Sequence, residues 1–458
     1  MVFSSIIFLF RFLPASMTLY FLTPRAYKNL MLLIISLLFY SWGDGRYIFL
    51  MILSILVDYC ISISMENYSD KKRVRDFLIT GSIIFNMGLL FVFKYFNFFM
   101  DNINYFMGTN IKALKLVMPL GISFYTFQTM SYSLDVYKGN IKAERNIIDF
   151  GAYICLFPQL IAGPIVKYVD ISRDLKERKV SLEKINSGIR TFIIGLGKKV
   201  LIANNIGMLW TEINGTGINS MSSPLLYLGI IAFSLQIYFD FSGYSSMAIG
   251  LGRILGFEFP QNFNYPYISR SISEFWRRWH ITLGSWFKEY VYIPLGGNRK
   301  GKARTFFNLL IVWFLTGLWH GASYNFILWG LYFFLLISME KAGLDKILSK
   351  YKVMSHGYTL FALILGWLIF AVEDIKYMYL YIQRFFVFKP GMDWIYYGRN
   401  YGITMVIAIL CSTPVIKKYY RRFISSAIAD AAIMMIVFIL SVSYLVDATY
   451  NPFLYFRF

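Results

Sequence analysis

Residues 305–330 read TFFNLLIVWFLTGLWHGASYNFILWG, a stretch with no lysine, arginine, aspartate or glutamate that nevertheless holds His320. A run of this length and apolarity is what crossing the hydrocarbon core of a bilayer requires. An ionisable side chain at such depth carries a desolvation cost, so it marks a functional site by default. Histidine remains neutral near pH 7, costs less to bury than a carboxylate, and can still take a proton. The pattern points to proton chemistry inside the bilayer, with a histidine packed for structure as the bland alternative.

The rest of the chain agrees with a membrane setting. Charged residues are 15% of the sequence and hydrophobic residues 57%, against roughly 25% charged in a soluble domain. Apolar runs recur at 6–22, 30–42, 47–64, 77–93, 116–134, 150–166, 224–251, 306–321, 326–338, 358–372, 403–416 and 431–445. Some are short enough to be re-entrant or interfacial. The expectation is an all-α, polytopic membrane protein with roughly ten to twelve helices that cross or partly enter the membrane.

A net charge of +20 raises the question of nucleic acid. The basic residues fall in loops between apolar runs, as in Lys71, Lys72, Arg73 and Arg75, or Arg299, Lys300, Lys302 and Arg304. That distribution follows the positive-inside rule and places those loops in the cytoplasm. The lipid bilayer is the expected partner, and no nucleic acid is expected.

Cys60, Cys155 and Cys411 are scattered in apolar sequence and form no C-x-x-C pair, so they read as small buried hydrophobes. The first apolar run contains Arg11 and lacks a small-residue cleavage site, so no cleaved signal peptide is expected. With no repeat or long linker, one membrane domain over 1–458 is the simplest parse: N-terminal helices in 1–115, a core with both buried histidines in 116–340, and C-terminal helices and tail in 341–458.

Several chemistries lack their signatures. His280, His320 and His356 are far apart and no H-E-x-x-H or Cys/His cluster occurs, so no metal site is expected. Neither a phosphate-binding glycine loop nor a G-x-S-x-G elbow is present.

Dense polar-aromatic segments remain. Residues 271–290, SISEFWRRWHITLGSWFKEY, put Trp276, Trp279, His280, Leu283, Phe287 and Tyr290 at three- and four-residue steps, which predicts one continuous amphipathic helix. Ser271 and Glu274 form a capping-box pair that should start it. Its aromatics and its arginines, Arg277 and Arg278, suit a bilayer interface. His280 should then face protein or lipid, either as a functional group or as a packed one. Residues 291–305, VYIPLGGNRKGKART, form a basic glycine-rich turn that either receives an anionic group or serves as a plain cytoplasmic loop.

Taken together, these segments resemble the membrane-bound O-acyltransferase family, in its alginate O-acetyltransferase branch. The matching stretches are YSWGD at 40–44, MPLGISFYTFQ at 118–128, FPQLIAGPI at 157–165 and GLGKKVLIAN at 195–204. They continue with QIYFDFSGYSSMAIGLGRILGF at 236–257, FWRRWHITLGSWFKEYVYIPLGGNRKG at 275–301 and LTGLWHGASYNFILWG at 315–330. The resemblance implies a ring of helices around a central tunnel, with donor entering from the cytoplasm and acceptor from the opposite side. It implies His320 as catalytic base and His280 as a second site histidine, a position where many relatives carry asparagine. It also suggests Trp276, Arg277, Arg278, Trp279, Trp319, Asn325, Asp240 and Ser242 as residues around the donor or tunnel. Two departures stand out: Ser246 and Asn204 occupy positions where the family pattern often has aspartate.

The chain ends NPFLYFRF. One reading is an aromatic belt at the membrane interface. The other follows the resemblance, since this ending is similar to that of the alginate acetylation branch and to the small tail protein of the teichoic-acid D-alanylation member. There Tyr455 would carry the acyl group, its phenol deprotonated by a neighbouring base during attack. The implied reaction moves an acetyl group from acetyl-CoA or another acyl thioester, with no bound cofactor, across the bacterial cytoplasmic membrane. The implied partners are an extracytoplasmic SGNH-type esterase-fold protein and a polysaccharide biosynthesis and export complex. Rivals are D-alanyl transfer to teichoic acid, or a transporter or scaffold in such a complex; a transporter would need paired intramembrane charges or broken helices in two matching halves, and the sequence has no such internal symmetry.

Overall fold

A computed structural model describes residues 2–161, 163–424, 426–447, 450–452 and 454. Helices carry the chain and no strand occurs among the described residues. Eight helices are long and apolar enough to cross a membrane: Arg25–Gly43, Gly45–Asn67, Lys72–Met107, Leu182–Gly215, Ser223–Leu255, Tyr324–Leu348, Lys352–Ala371 and Ala427–Asp447. The all-α, polytopic expectation therefore holds. Within a helix the backbone polar groups pair inside their own segment, which hydrocarbon demands.

Two differences from the expected runs bear on the site. Leu182–Gly215 did not stand out as apolar because Lys184, Arg190, Lys198 and Lys199 interrupt it. The run at 150–166 is no single span: a helix Ile147–Cys155 ends at Leu156, and a short turn Phe157–Leu160 follows with Pro158 near its start. Residues 150–161 are buried in protein, so their apolarity reflects packing and not lipid contact.

The described residues fall into two compact units, one drawn from 1–192 and 247–260, the other from 193–246 and 261–458. The first has a buried carboxylate, Asp58, which accepts hydrogen bonds from Ser82, from Ser133 at 2.9 Å and from Asn86 at 2.8 Å. Neutral donors there satisfy a polar group that would otherwise be costly.

The second unit has an aromatic core that includes Phe275, Trp313, Trp329, Phe333, Trp367 and Phe370. Its organising feature is a close helical hairpin, Gly301–His320 and Tyr324–Met339. A Cβ on Gly317 would lie 2.4 Å from the Phe326 carbonyl oxygen, and one on Gly330 2.4 Å from that of Trp313. Small residues at the crossing let the two backbones touch, which fixes the hairpin's turn and with it the end of the first helix.

Candidate active site

His320 is the last residue of the Gly301–His320 helix, and the chain turns at Gly321. Its imidazole is buried. It meets Trp329 edge-on at a centroid distance of 4.9 Å, Phe370 at 5.2 Å and Trp319 at 5.1 Å. Asn325, fully buried in the first turn of the next helix, donates from Nδ2 to the Phe370 carbonyl at 3.1 Å. That bond ties the end of the Lys352–Ala371 helix to the hairpin and holds the Phe370 ring against His320.

His280 sits where the sequence predicts mid-helix, and here the expectation fails. The continuous helix 271–290 is broken into Ile272–Arg278 and Ile281–Phe287. Trp279 is extended at φ −105°, ψ 130°, and His280 is left-handed at φ 43°, ψ 54°. Among the described residues only Tyr265 shares a positive φ without being glycine. Such a backbone costs about 1–3 kcal/mol and persists only where surroundings over-determine it.

Asn262 supplies that determination. Its carbonyl oxygen accepts from Ile281 N at 3.0 Å, and its Oδ1 accepts from Thr282 N at 3.2 Å and Thr282 Oγ1 at 2.9 Å. His280 Nδ1 lies 3.1 Å from the same Oδ1. Because that oxygen can only accept, Nδ1 carries the proton and Nε2 the lone pair. His280 lies outside the eight long helices, and burial lowers its pKa to about 3, so the ring is neutral. The Phe241 ring meets it edge-on at 4.7 Å and Trp319 at 5.7 Å. One indole thus touches both histidines.

The expected helix start is partly realised. Ser271 Oγ accepts from Glu274 N at 3.0 Å, but the Glu274 carboxylate turns to Arg270 N at 2.9 Å, so only half of the capping box forms.

The other candidate residues separate by environment. Trp276 packs against Trp313, Trp329 and Phe333 at 4.9, 5.3 and 4.9 Å. Trp279 stacks on Phe275 at 5.5 Å and meets Trp367 at 4.8 Å. Arg277 is exposed. Arg278 is half-buried and committed to Glu274 at 2.9 Å and the Asn264 carbonyl at 3.1 Å. Asp240 is paired with Lys199 at 2.6 Å, and the buried Ser242 offers its carbonyl to Ser246 Oγ at 2.7 Å. The glycine-rich turn is stitched by Asn308 Nδ2 to Gly297 O at 3.0 Å, while Arg299, Lys300, Lys302 and Arg304 stay exposed.

Tyr455 lies outside the described residues. Among the described residues no group of three or more His, Cys, Asp and Glu gathers as a metal site would. Sequence reading missed Asn262 and Phe241, whose roles depend on a break it could not see. It also missed Lys199 as the partner of Asp240; two opposite charges inside long apolar helices were the available signal.

Known proteins place this geometry in context. The model of the MBOAT, membrane-bound O-acyltransferase family, matches residues 142–363, which include both site histidines. A Pseudomonas putida protein named "Probable alginate O-acetylase AlgI" is 35% identical, with 100% of each chain covered. Its namesake in Pseudomonas syringae pv. tomato is 40% identical over 82% of this chain and 73% of its own. The Helicobacter pylori peptidoglycan O-acetyltransferase is 36% identical over 75% of this chain and 71% of its own. The chain therefore belongs to the membrane-bound O-acyltransferase family and is an acyltransferase.

Proposed function

We propose that this protein O-acetylates an extracellular polysaccharide, taking the acetyl group from a cytoplasmic thioester and passing it across the cytoplasmic membrane. The observation that carries this reading is the meeting of His280 and His320 at one buried indole, Trp319, in a chain matched end to end by an alginate O-acetylase relative. Buried aromatic walls exclude water, which protects a thioester from hydrolysis.

In the proposed step, His320 takes the proton of an attacking hydroxyl, a contribution of roughly 10²–10⁴-fold. The hydroxyl oxygen bonds to the thioester carbonyl carbon, the carbon–sulfur bond breaks, and the thiolate leaves with the proton returned by His320. Neutral His280 stands by as a polar group for the oxyanion side or the acceptor. The attacking hydroxyl is that of Tyr455, which then hands the acetyl group to an SGNH-type partner outside the membrane. Acetyl-CoA is the simplest donor, and a basic cytoplasmic turn with exposed Arg299, Lys300, Lys302 and Arg304 suits its phosphates.

The test is the O-acetyl content of isolated surface polysaccharide in wild type, His320→Ala and Tyr455→Phe cells at matched membrane expression. Loss of acetyl in both, with polymer yield unchanged, supports the reading with Tyr455 as carrier. Loss in His320→Ala alone removes Tyr455 from the pathway. Unchanged acetyl in both would overturn the proposal in favour of transport or scaffolding.

A further inference from the structure

The chain's C-terminal segment is held by a set of polar contacts, from an exposed one at Tyr450 to a buried one at Leu454, that the transfer chemistry does not use. Tyr450 OH lies 3.2 Å from Thr211 Oγ1, and Asn204 Nδ2 donates to Asn451 Oδ1 at 3.2 Å. Lys199 Nζ donates to the Pro452 carbonyl, and Leu454 N donates to Asp240 Oδ2 at 2.9 Å. The other Asp240 oxygen faces Lys199 Nζ at 2.6 Å, and both charged side chains are nearly fully buried, at 2% and 3% exposure.

Three of these partners, Lys199, Asn204 and Thr211, belong to the Leu182–Gly215 helix, and the first two lie within its π-helical turn Lys198–Asn204. Widened turns of this kind are rare and recur at functional positions. Residues 450–452 are half-buried and outside helix or sheet, and Leu454 is buried, so their backbone groups need partners. The ion pair supplies them: the lysine takes a carbonyl and the carboxylate takes an N–H, on either side of residue 453. Two charges serving only to tie helix to helix would have little reason to divide their hydrogen bonds in this way, and a buried pair by itself is weak evidence for stability.

The anchor point is also close to the site. Asp240 directly precedes Phe241, whose ring packs on His280 at 4.7 Å. In the sequence Tyr455 directly follows Leu454, so an anchor at Leu454 tethers the chain one residue before it. Such restriction is how a tethered reactant gains effective concentration.

We propose that the Lys199–Asp240 pair is a backbone clamp for the C-terminal segment, a positioning device that holds Pro452 and Leu454 beside the helix bearing Phe241. Its role in transfer rests on the acyltransfer reading above; its role as a clamp does not. Neither residue is a catalytic residue in this account, since both act through the tail.

The experiment uses the full chain in native membranes, with Cys60, Cys155 and Cys411 replaced and Leu454→Cys as reporter. Maleimide labelling of that cysteine is compared among wild type, Asp240→Asn, Lys199→Met and the neutral double variant Lys199→Gln with Asp240→Asn, which leaves no orphaned charge if the single variants fail to fold. O-acetyl content is measured in the same strains, with His320→Ala as control. The expected result is labelling at least tenfold faster and acetylation at least tenfold lower, with chain abundance and melting of the double variant close to wild type. Unchanged labelling in every folded variant would overturn the clamp. Faster labelling with full acetylation would overturn the positioning role alone. Full acetylation in the His320→Ala control would sink the acyltransfer reading, while the labelling result would still judge the clamp.

Discussion

His280 and Trp319 meet edge to face, with ring centroids 5.7 Å apart and planes at 68°. The same indole reaches His320 at 5.1 Å. Two residues separated by forty positions thus share one aromatic neighbour.

Replacing Trp319 should therefore separate packing from chemistry. Trp319→Ala leaves a cavity worth about 3–5 kcal/mol, and a fall in both melting temperature and O-acetylation is expected. Trp319→Phe keeps a flat ring and should stay folded while losing roughly tenfold in transfer, because small misplacement of reacting groups is costly. Thermal melting of the solubilised protein, paired with polysaccharide acetyl content, checks both. Wild-type acetylation in Trp319→Phe would show that the indole does not set the geometry.

The left-handed backbone of His280, at φ 43°, restricts what can replace it. Asparagine visits that region more readily than most residues and keeps a hydrogen-bonding side chain. His280→Asn is expected to fold at normal abundance with partial activity. His280→Val, β-branched at a positive φ, should accumulate poorly. Immunoblots of isolated membranes read the contrast, and equal abundance of the two would argue against the strained conformation.

Proton uptake at His280 gives a pH dependence with a definite sign. The unfolded chain binds a proton below the ordinary value of 6.5, whereas burial holds the folded group neutral down to about 3. The stability this contributes is present above 6.5 and is lost progressively as pH falls from 6.5 toward 3. Melting temperature should fall over that window in wild type and less steeply in His280→Asn. Parallel curves for the two proteins would remove His280 as the cause.

Arg277 and Arg278 are neighbours in sequence with different commitments. Arg278 is engaged by Glu274 and the Asn264 carbonyl, so Arg278→Met should lower stability with little effect on the KM for the donor. Arg277 is exposed, and Arg277→Ala should raise that KM several-fold at unchanged melting temperature if it receives an anionic donor. The reverse pattern would assign donor binding to Arg278.

The membrane class and His320 were legible because each is a matter of composition along one helix: a long run without charge, interrupted by one ionisable group, needs no knowledge of the partner. The resemblance quoted at 275–301 and 315–330 added the family. The break at Trp279–His280 was not legible. Periodicity over 271–290 favours one helix, and only the bonds to Asn262, about twenty residues upstream, outweigh that local preference.

The Lys198–Asn204 turn shows the same limit from the other side. Lys199 interrupts an apolar run, and its charge is unfavourable in a bilayer when taken alone. Its compensation comes from Asp240 and from the backbone of Pro452, the latter more than two hundred residues away in the chain. Sequence alone determined that this is an all-helical membrane acyltransferase with a buried histidine, because apolar length and family motifs are local. Tertiary structure decided which indole joins the two histidines, where the helix expected over 271–290 breaks, and what holds Pro452 and Leu454, because each depends on burial and hydrogen bonds between segments that only folding brings together.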